Sequence, residues 1–481
     1  MVKLIRTRFA PSPTGMMHIG NLRTALYEYL IAKHYGGIFL LRIEDTDQNR
    51  YVQGAEDFIY QTLKTAGLTH DEGPDVGGNY GPYRQSERRH IYSQYAEQLV
   101  KNGGAYYCFC KKEDRDSTED DEQLTFAKYD RKCYRLTKGE IESKIANGEE
   151  HCVRQLIPAG AATFDDVIYG SITVQNEEIE DQVLLKSDGM PTYNFANVVD
   201  DHLMGITHVL RGCEYLTSTP KYNLLYEAFG WQPPVYIHLP LILDASGRKF
   251  SKRDGSASFT NLLDMGFLPE TIVNYVALLG WSPSDNREKF TLAELVGEFD
   301  ERRISKSPSV FDINKLTWLS GEYWKAMDAD EFYPYALPVL QDCVKAPGID
   351  LKTVAEMVKT RISFLNDIPP LVSFIDNLPA YDKKMFEHKK MKTTLGNSLV
   401  SLTHVLEILQ GMQDFSAQNI YNELLRLAST LGAKNGVVLW PVRTALSGQP
   451  TSPCGAAELC ALLGKNETLR RVKMGINKLM N

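Results

Sequence analysis

Residues 9–21 read Phe9-Ala10-Pro11-Ser12-Pro13-Thr14-Gly15-Met16-Met17-His18-Ile19-Gly20-Asn21, a turn rich in proline and glycine between two periodic segments. Upstream, apolar and polar residues alternate from Val2 to Phe9, as they do in a strand. Downstream, apolar residues recur at helical spacing, namely Leu22, Ala25, Leu26, Tyr29 and Leu30. The pattern therefore predicts a strand, a turn and a helix that begins near His18 and Gly20.

The start of this helix is suited to bind phosphate. Its first backbone N–H groups lack partners within the helix, and the helix dipole is positive there. Gly20 has no Cβ, so a flat group such as a base can approach the backbone closely. His18 can donate to a phosphate oxygen or shift a proton near neutral pH. A histidine that only caps the helix is the alternative, because short motifs often match by chance.

A second segment favours the phosphate-binding role of His18 over a capping role alone. It reads Gly247-Arg248-Lys249-Phe250-Ser251-Lys252-Arg253-Asp254-Gly255. Its two lysines lie three residues apart in a glycine-flanked loop, which can bring ammonium groups onto a leaving polyphosphate. By itself such a loop is more often a solvated basic surface. Together, His18-Ile19-Gly20-Asn21 and Lys249-Phe250-Ser251-Lys252-Arg253 resemble the HIGH and KMSKS signatures of class I aminoacyl-tRNA synthetases, although both differ from them at the last position.

The resemblance narrows to the bacterial glutamyl-tRNA synthetases through four further motifs. They are Arg8-Phe9-Ala10-Pro11-Ser12-Pro13-Thr14-Gly15, Leu41-Arg42-Ile43-Glu44-Asp45-Thr46-Asp47, Gly81-Pro82-Tyr83-Arg84-Gln85-Ser86-Glu87-Arg88 and Pro191-Thr192-Tyr193-Asn194-Phe195-Ala196-Asn197-Val198-Val199-Asp200-Asp201-His202. The match covers most of the chain and keeps the order of the family. It implies a glutamate–tRNA ligase, which activates glutamate with ATP and transfers it to the 3′ end of tRNA-Glu.

Alternating strands and helices up to about residue 84 predict an α/β fold with a parallel sheet, in which ligands bind beyond the carboxyl ends of the strands. The resemblance implies four parts. They are a Rossmann-like catalytic domain (1–84 with 194–243), an inserted acceptor-end-binding domain (85–193), a stem-contact region with the lysine loop (244–327) and an all-helical anticodon-binding part (328–481). Helical periodicity after residue 328 favours this family over the glutaminyl-tRNA synthetases, which carry β-barrels there.

Composition is compatible with this family. The net charge of −8 argues against a uniformly basic nucleic-acid surface, but residues from Asp328 onward hold 17 Lys and Arg against 15 Asp and Glu. We therefore expect local tRNA contacts that are sensitive to salt. No apolar run approaches the roughly 20 residues of a membrane helix, and the first residues lack the apolar core of a signal peptide, so we expect none. We expect a cytoplasmic monomer in which the eight cysteines form no disulfide framework.

Glutamate presents two carboxylates and one ammonium, so its pocket needs two cationic groups and one anion. Arg8 and Arg211 follow strands and suit the carboxylates, while Glu44 can take the ammonium. We assign Arg8 to the side-chain carboxylate and leave the role of Arg211 open. The resemblance implies that Ser12, Tyr193, Asn197 and Glu214 also bind glutamate.

The reaction requires no protein nucleophile, so positioning and charge stabilisation are expected to supply the rate. The resemblance implies that His18, Lys249 and Lys252 stabilise the reacting phosphates and that Mg²⁺ accompanies ATP. The expected ATP-binding residues are Pro11, Thr14, Gly15, His18, Gly20, Asn21, Ser251 and Lys252.

Two further sites are predicted. Zinc prefers four ligands, mostly thiolate or imidazole, and some family members bind zinc at positions matching Cys108, Cys110, Tyr129 and Cys133. His151 or Cys152 could replace the tyrosine, and unligated thiols are the alternative. In the other site, Arg361 aligns with a position at which discriminating members read the third anticodon base, but the sequence leaves open whether tRNA-Gln is also charged.

A small-molecule nucleotidyltransferase with the same histidine turn is the main alternative from a different class. Such enzymes are typically shorter and lack a large helical tail. A non-enzymatic tRNA-binding paralogue should have lost one of the two signatures, and both are present here. A shortened paralogue that glutamylates a tRNA base lacks the anticodon-binding part, so the length of this chain disfavours it.

Overall fold

A computed structural model describes residues 4–15, 17–47, 50, 52–110, 129–250 and 258–481. The chain divides into two compact units. The first unit comprises residues 1–263 and 272–312, and the second comprises residues 264–271 and 313–481. The four-part division expected from the sequence stays a prediction.

Strands and helices alternate through the N-terminal two thirds of the chain. The strands are β1 (Arg6–Phe9), β2 (Ile38–Leu41), β3 (Ala105–Cys108), β4 (Cys152–Gln155), β5 (Ala161–Asp166), β6 (Gly170–Gln175), β7 (Val183–Leu185), β8 (His208–Gly212), β9 (Val235–Leu239), β10 (Ile242–Leu243) and β11 (Ser309–Val310). The helices among them are α1 (Ile19–His34), α2 (Ala55–Thr65), α3 (Arg89–Lys101), α4 (Lys138–Ala146), α5 (Tyr193–Leu203), α6 (Thr219–Phe229), α7 (Phe259–Asp264), α8 (Pro269–Ala277) and α9 (Leu292–Glu298).

The predicted strand–turn–helix at the N-terminus is confirmed. β1 pairs in parallel with β2, with Arg6 opposite Ile38 and Phe9 opposite Leu41. α1 crosses between these strands and buries its apolar residues, Leu22 and Leu26 among them. His18 is the N-cap of α1. The parallel pairing brings the ends of both strands and the start of α1 to one edge, where a ligand is expected to bind.

The first unit also contains a four-stranded sheet in the order β6-β5-β9-β8. β8 runs parallel to β9 with Arg211 opposite His238, and β5 joins β9 in parallel through Asp166 opposite Tyr236. The antiparallel hairpin β5-β6 lies at the other side of this sheet. The register therefore places His238 directly opposite Arg211, and Asp166 on the next strand lies close enough to bond the His238 side chain.

A separate antiparallel sheet, β3-β4-β7, forms within the predicted insertion. β3 ends at Cys108, which is opposite Cys152 at the start of β4. Tyr106, Cys108 and Cys133 are buried together in a small cluster that also receives Tyr129. The sheet therefore holds the cysteines close to one another at one end.

The second unit is helical, as predicted. Its helices are α10 (Ile313–Ala326), α11 (Ala329–Cys343), α12 (Leu351–Lys359), α13 (Ile368–Val372), α14 (Leu395–Gly411), α15 (Ala417–Thr430), α16 (Asn435–Ser447) and α17 (Ala456–Met480). Gly464 has a non-helical backbone and kinks α17. Within the described ranges, no helix is long and apolar enough to cross a membrane.

Ser416 occupies the N-cap position of α15, but its side chain accepts no capping hydrogen bond. Its hydroxyl instead donates to Asp414 at 3.1 Å. A short polar side chain nearby can therefore compete with the helix end for the same hydroxyl.

Candidate active site

A cavity of about 430 Å³ opens where β1, β8 and the start of α1 meet. It brings together most of the residues expected to bind glutamate and ATP. They are Arg8, Pro11, Ser12, Thr14, His18, Gly20, Asn21, Glu44, Tyr193, Arg211, Glu214 and Lys249. Segments far apart in the sequence thus converge, as the positions of their strand ends predict.

Two of the expected residues do not line this cavity, and two others lie outside the described residues. Gly15 is absent from its wall, and Asn197 is buried beneath it with its amide donating to the Tyr193 carbonyl at 2.9 Å. Asn197 therefore positions the backbone of Tyr193 in this structure. Ser251 and Lys252 fall in residues 251–257, which the structure does not describe.

Arg8 is held by two buried carboxylates. Its Nε and Nη2 donate to the two oxygens of Asp201 at 3.0 and 3.3 Å, and its Nη1 donates to Glu28 at 3.2 Å. Nη1 also reaches the Leu210 carbonyl at 3.5 Å. Of its five N–H groups, one on Nη2 has no partner among the described residues and remains for a ligand.

The charged groups around Arg8 alter one another's pKa values. Burial lowers the pKa of the Arg8 guanidinium, but Asp201 and Glu28 outweigh burial and raise it. Burial raises the pKa of Asp201, yet Arg8 and Arg42 bring it below its ordinary value. Burial raises the pKa of Glu28, and Arg8 opposes that effect.

Glu44 is a buried carboxylate in the wall of the cavity. It is 5% exposed and accepts from Arg42 Nη2 at 2.9 Å. Arg42 also donates to Asp201 at 2.7 Å, which links Glu44 to the carboxylate that holds Arg8. Burial raises the pKa of Glu44, and Arg42 and Arg8 oppose that effect. A ligand ammonium placed beside Glu44 would further favour its charged form.

Arg211 differs from Arg8 because no described carboxylate forms an ion pair with it. Its Nε donates to His238 Nε2 at 3.3 Å, and its Nη2 donates to the Thr219 hydroxyl at 3.2 Å. Three tyrosine rings surround the guanidinium, with centroids at 4.5 Å for Tyr222, 5.4 Å for Tyr236 and 5.5 Å for Tyr215. Three of its five N–H groups have no partner among the described residues.

At the start of α1, the turn orients His18. Its Nδ1 accepts from the Gly20 N–H at 2.9 Å, so the proton of the neutral ring is on Nε2. A Cβ at Gly20 would lie 3.2 Å from that Nδ1, which explains the need for glycine. The His18 ring meets the edge of Phe250, with centroids 5.6 Å apart. The lysine segment thus begins beside the helix start.

Lys249 is close to Glu214 on the rim of the cavity. Its Nζ is 3.8 Å from Glu214 Oε1, and both side chains are at least half exposed. An exposed pair at this distance is weak. Either group can therefore exchange its partner for a charged ligand at little cost.

Sequence reasoning did not assign functions to Arg42, Asp201 or His238. Arg42 and Asp201 lie inside motifs that were recognised, so their presence there was the available signal. His238 is a lone histidine in an apolar strand, which carries no signal of its own. Its role depends on the register that places it opposite Arg211.

The predicted zinc ligands do come together. The ligand atoms of Cys108, Cys110 and Cys133 lie within 4.8 Å of one another. The Tyr129 hydroxyl lies 3.1 Å from Cys108 Sγ and 3.2 Å from Cys110 Sγ. Cys152 donates to Cys108 and thereby lowers the pKa of that thiol, with a further donation from Tyr129. Three thiols and one phenol thus form a donor set that fits Zn²⁺.

Comparisons with known proteins agree along the whole chain. The profile of the catalytic domain of class I tRNA synthetases (E and Q) matches residues 4–318, and that of an anticodon-binding domain matches residues 330–476. A glutamate–tRNA ligase of Clostridium novyi is 56% identical and covers 99% of this chain and 98% of its own. One from Clostridium botulinum (strain Okra / Type B1) is 54% identical, with 100% and 99% covered. A solved glutamate tRNA ligase from Elizabethkingia meningosepticum, in complex with its amino acid, has a TM-score of 0.89 at 36% identity, and 99% of each chain is covered.

Proposed function

The chain belongs to the glutamate–tRNA ligases, a family of class I tRNA synthetases, and from that premise we propose how its cavity joins glutamate to ATP and then to tRNA. The observation that carries the proposal is that the buried side chains of Arg8, Arg211 and Glu44 line a single cavity. Free glutamate carries two negative charges and one positive charge, so this set is complementary to it.

The two arginines divide the carboxylates between them. Arg8, fixed by Asp201 and Glu28, offers its remaining N–H to the side-chain carboxylate. Arg211 takes the second carboxylate, because its open N–H groups allow two parallel hydrogen bonds. Glu44 accepts from the ammonium. The amide of glutamine carries no charge, so it gains no charge-assisted hydrogen bond from Arg8 and binds more weakly than the carboxylate of glutamate.

ATP binds at the start of α1 with its phosphates on the backbone N–H groups. His18 Nε2 carries a proton there and donates to a phosphate oxygen as charge develops on it. Lys249 and Lys252 neutralise the departing pyrophosphate. The glutamate carboxylate attacks the α-phosphate, the bond to pyrophosphate breaks, and glutamyl-adenylate forms. Mg²⁺, bound with ATP, supplies further charge neutralisation.

The tRNA end approaches through a neighbouring cavity. This second cavity, of about 430 Å³, shares Ser12, Glu44, Arg50 and Tyr193 with the first and adds Lys186 to its lining. A terminal ribose entering here reaches the activated carboxyl without crossing the ATP site. The two basic side chains suit the phosphates of a single-stranded end.

The remaining assignments concern metal and anticodon. Zn²⁺ bound by Cys108, Cys110, Cys133 and Tyr129 would be structural, because the chemistry needs no open coordination position. Arg361 follows α12 and is exposed, and its Nε donates to the Pro453 carbonyl at 3.4 Å. We assign it to reading the third anticodon base, which favours tRNA-Glu over tRNA-Gln. The enzyme acts as a cytoplasmic monomer.

ATP–pyrophosphate exchange tests this proposal. Exchange measured with cognate tRNA present should depend on glutamate and be absent with glutamine. Arg8→Ala should chiefly raise the KM for glutamate, whereas His18→Ala should chiefly lower kcat. Equal exchange with glutamine would refute the assignment of the cavity to glutamate.

A further inference from the structure

The positive charge of Arg211 has no counter-ion among the described residues, because the side chains that bond it are neutral. Its Nε donates to His238 and its Nη2 donates to Thr219, at 3.3 and 3.2 Å. Among the described residues, none forms an ion pair with it, although it is only 6% exposed. Arg8, by contrast, pairs with Asp201 at 3.0 Å. A buried guanidinium without a counter-ion is costly, and a bound carboxylate removes that cost.

His238 can accept from Arg211 only in one tautomer, and Asp166 selects it. His238 Nδ1 lies 2.7 Å from Asp166 Oδ2, and neither side chain has exposed surface. Since the carboxylate accepts, Nδ1 carries the proton and Nε2 keeps its lone pair for Arg211. The Thr219 hydroxyl donates to the Tyr215 carbonyl at 2.9 Å, so its oxygen also remains an acceptor for Arg211.

Asp166 is itself fixed by backbone donors. Its Oδ1 accepts from the N–H groups of Ile168 and Tyr169 at 2.9 and 2.8 Å. Its Oδ2 accepts from the His238 N–H at 3.0 Å in addition to the ring. With these four contacts the carboxylate has no freedom to rotate. Asp166 on β5 therefore determines the orientation of the His238 imidazole, although β5 lies two strands away from Arg211 on β8.

We propose that Asp166 and His238 are positioning residues that aim the uncompensated guanidinium of Arg211 at a carboxylate of the bound amino acid. The inference rests on the proposed function, because it assumes that glutamate occupies the cavity. A carboxylate in place of His238 would orient Arg211 equally well but would cancel its charge. A neutral imidazole provides orientation while the charge stays available to the substrate.

The contact between His238 and Arg211 predicts that the KM for glutamate depends on pH. The charged or titratable groups that face His238 are Asp166 of β5, Arg211 of β8 and Tyr236 of β9, whose ring centroid is 6.2 Å away, with Glu214 acting from farther away. Burial lowers the pKa of His238 and Arg211 lowers it further, while the hydrogen bond to Asp166 opposes both. The ring is thus neutral at pH 7. Protonation at lower pH turns Nε2 into a donor that faces the Arg211 N–H, so the KM for glutamate should rise.

Two substitutions separate the two contacts of the ring. In His238→Asn the shorter amide can still donate to Asp166 but ends short of Arg211. In His238→Gln the longer side chain can place an oxygen near the position of Nε2. We expect His238→Asn to raise the KM for glutamate about 10-fold or more, as misplaced binding groups do. The KM for ATP and kcat should change less than about 2-fold, and His238→Gln should recover most of the loss.

His208→Asn is the matched control. His208 lies on the same strand as Arg211, has a pKa lowered by burial, and bonds Thr207 at 2.9 Å. Its substitution should leave the KM for glutamate unchanged. KM values for both substrates should be measured by pyrophosphate exchange from pH 5.5 to 8, together with the melting temperature of each variant.

Three results would overturn the inference. One is an unchanged KM for glutamate in His238→Asn, and another is a parallel rise of both KM values with a lower melting temperature. If His238→Asn fails to fold, an unchanged KM for glutamate in Asp166→Asn overturns it. Wild-type protein without glutamate-dependent exchange would instead refute the proposed function, so the two failures are distinguishable.

Discussion

Replacing Asp201 with asparagine tests the buried ion-pair network that supports Arg8. The Asp201 carboxylate accepts from Arg8 at 3.0 and 3.3 Å and from Arg42 at 2.7 Å, and it is 3% exposed. An asparagine offers one oxygen, and its NH₂ group faces a guanidinium that also donates. Breaking a buried pair in this way costs about 3–5 kcal/mol, because a charge is left without its partner.

Thermal unfolding followed by circular dichroism measures this cost. At about 2 °C per kcal/mol for a unit of this size, the midpoint of the first unit should fall by about 6–10 °C. Glu149→Gln is the control, since Glu149 pairs with Lys144 at 2.8 Å while 43% of its side chain is exposed. Such a pair contributes about 1 kcal/mol or less. If Asp201→Asn lowered the midpoint no more than Glu149→Gln, the carboxylate would not hold the network together.

Three further substitutions address pH, metal and tRNA. The folded-state pKa of Glu28 is raised to about 8 from 4.5, so the stability that its protonated form contributes is present below pH 4.5 and lost as pH rises through 8. The melting temperature of Glu28→Gln should therefore increase relative to that of the wild type between pH 5 and pH 8. A difference in melting temperature that stays constant over this range would contradict the prediction. Metal analysis should find about one zinc per chain and less in Cys110→Ser, whereas metal-free wild type with normal stability would contradict the site. Charging kinetics should show a preference for tRNA-Glu that narrows in Arg361→Gln, and an unchanged ratio would exclude Arg361 as the discriminator.

Local patterns predicted the elements whose shape depends on nearby residues. The alternation before Phe9 and the helical spacing after Gly20 correspond to β1 and α1. The spacing of Cys108, Cys110 and Cys133 indicated a cluster, and the ligand atoms of the three residues do lie within 4.8 Å of one another. These predictions hold because the relevant contacts lie within one supersecondary unit, so the sequence period is enough to place them.

Contacts between distant segments were not predictable in the same way. Asp201 is 193 residues from Arg8, and nothing in the sequence shows that the two share a hydrogen bond. His238 and Asp166 are 72 residues apart and meet only because β5 and β9 are neighbours. The motifs therefore identified which residues gather at the cavity. The register of the sheet was needed to show which side chains orient Arg8 and Arg211.

The proposed function holds that one cavity selects glutamate for transfer to tRNA through Arg8, Arg211 and Glu44. Aminoacylation of purified tRNA-Glu with labelled glutamate or labelled glutamine, in the presence of ATP, tests it most directly. The structure predicts rapid charging with glutamate and none above background with glutamine. Charging with glutamine at a comparable rate, or no charging with glutamate, would contradict it.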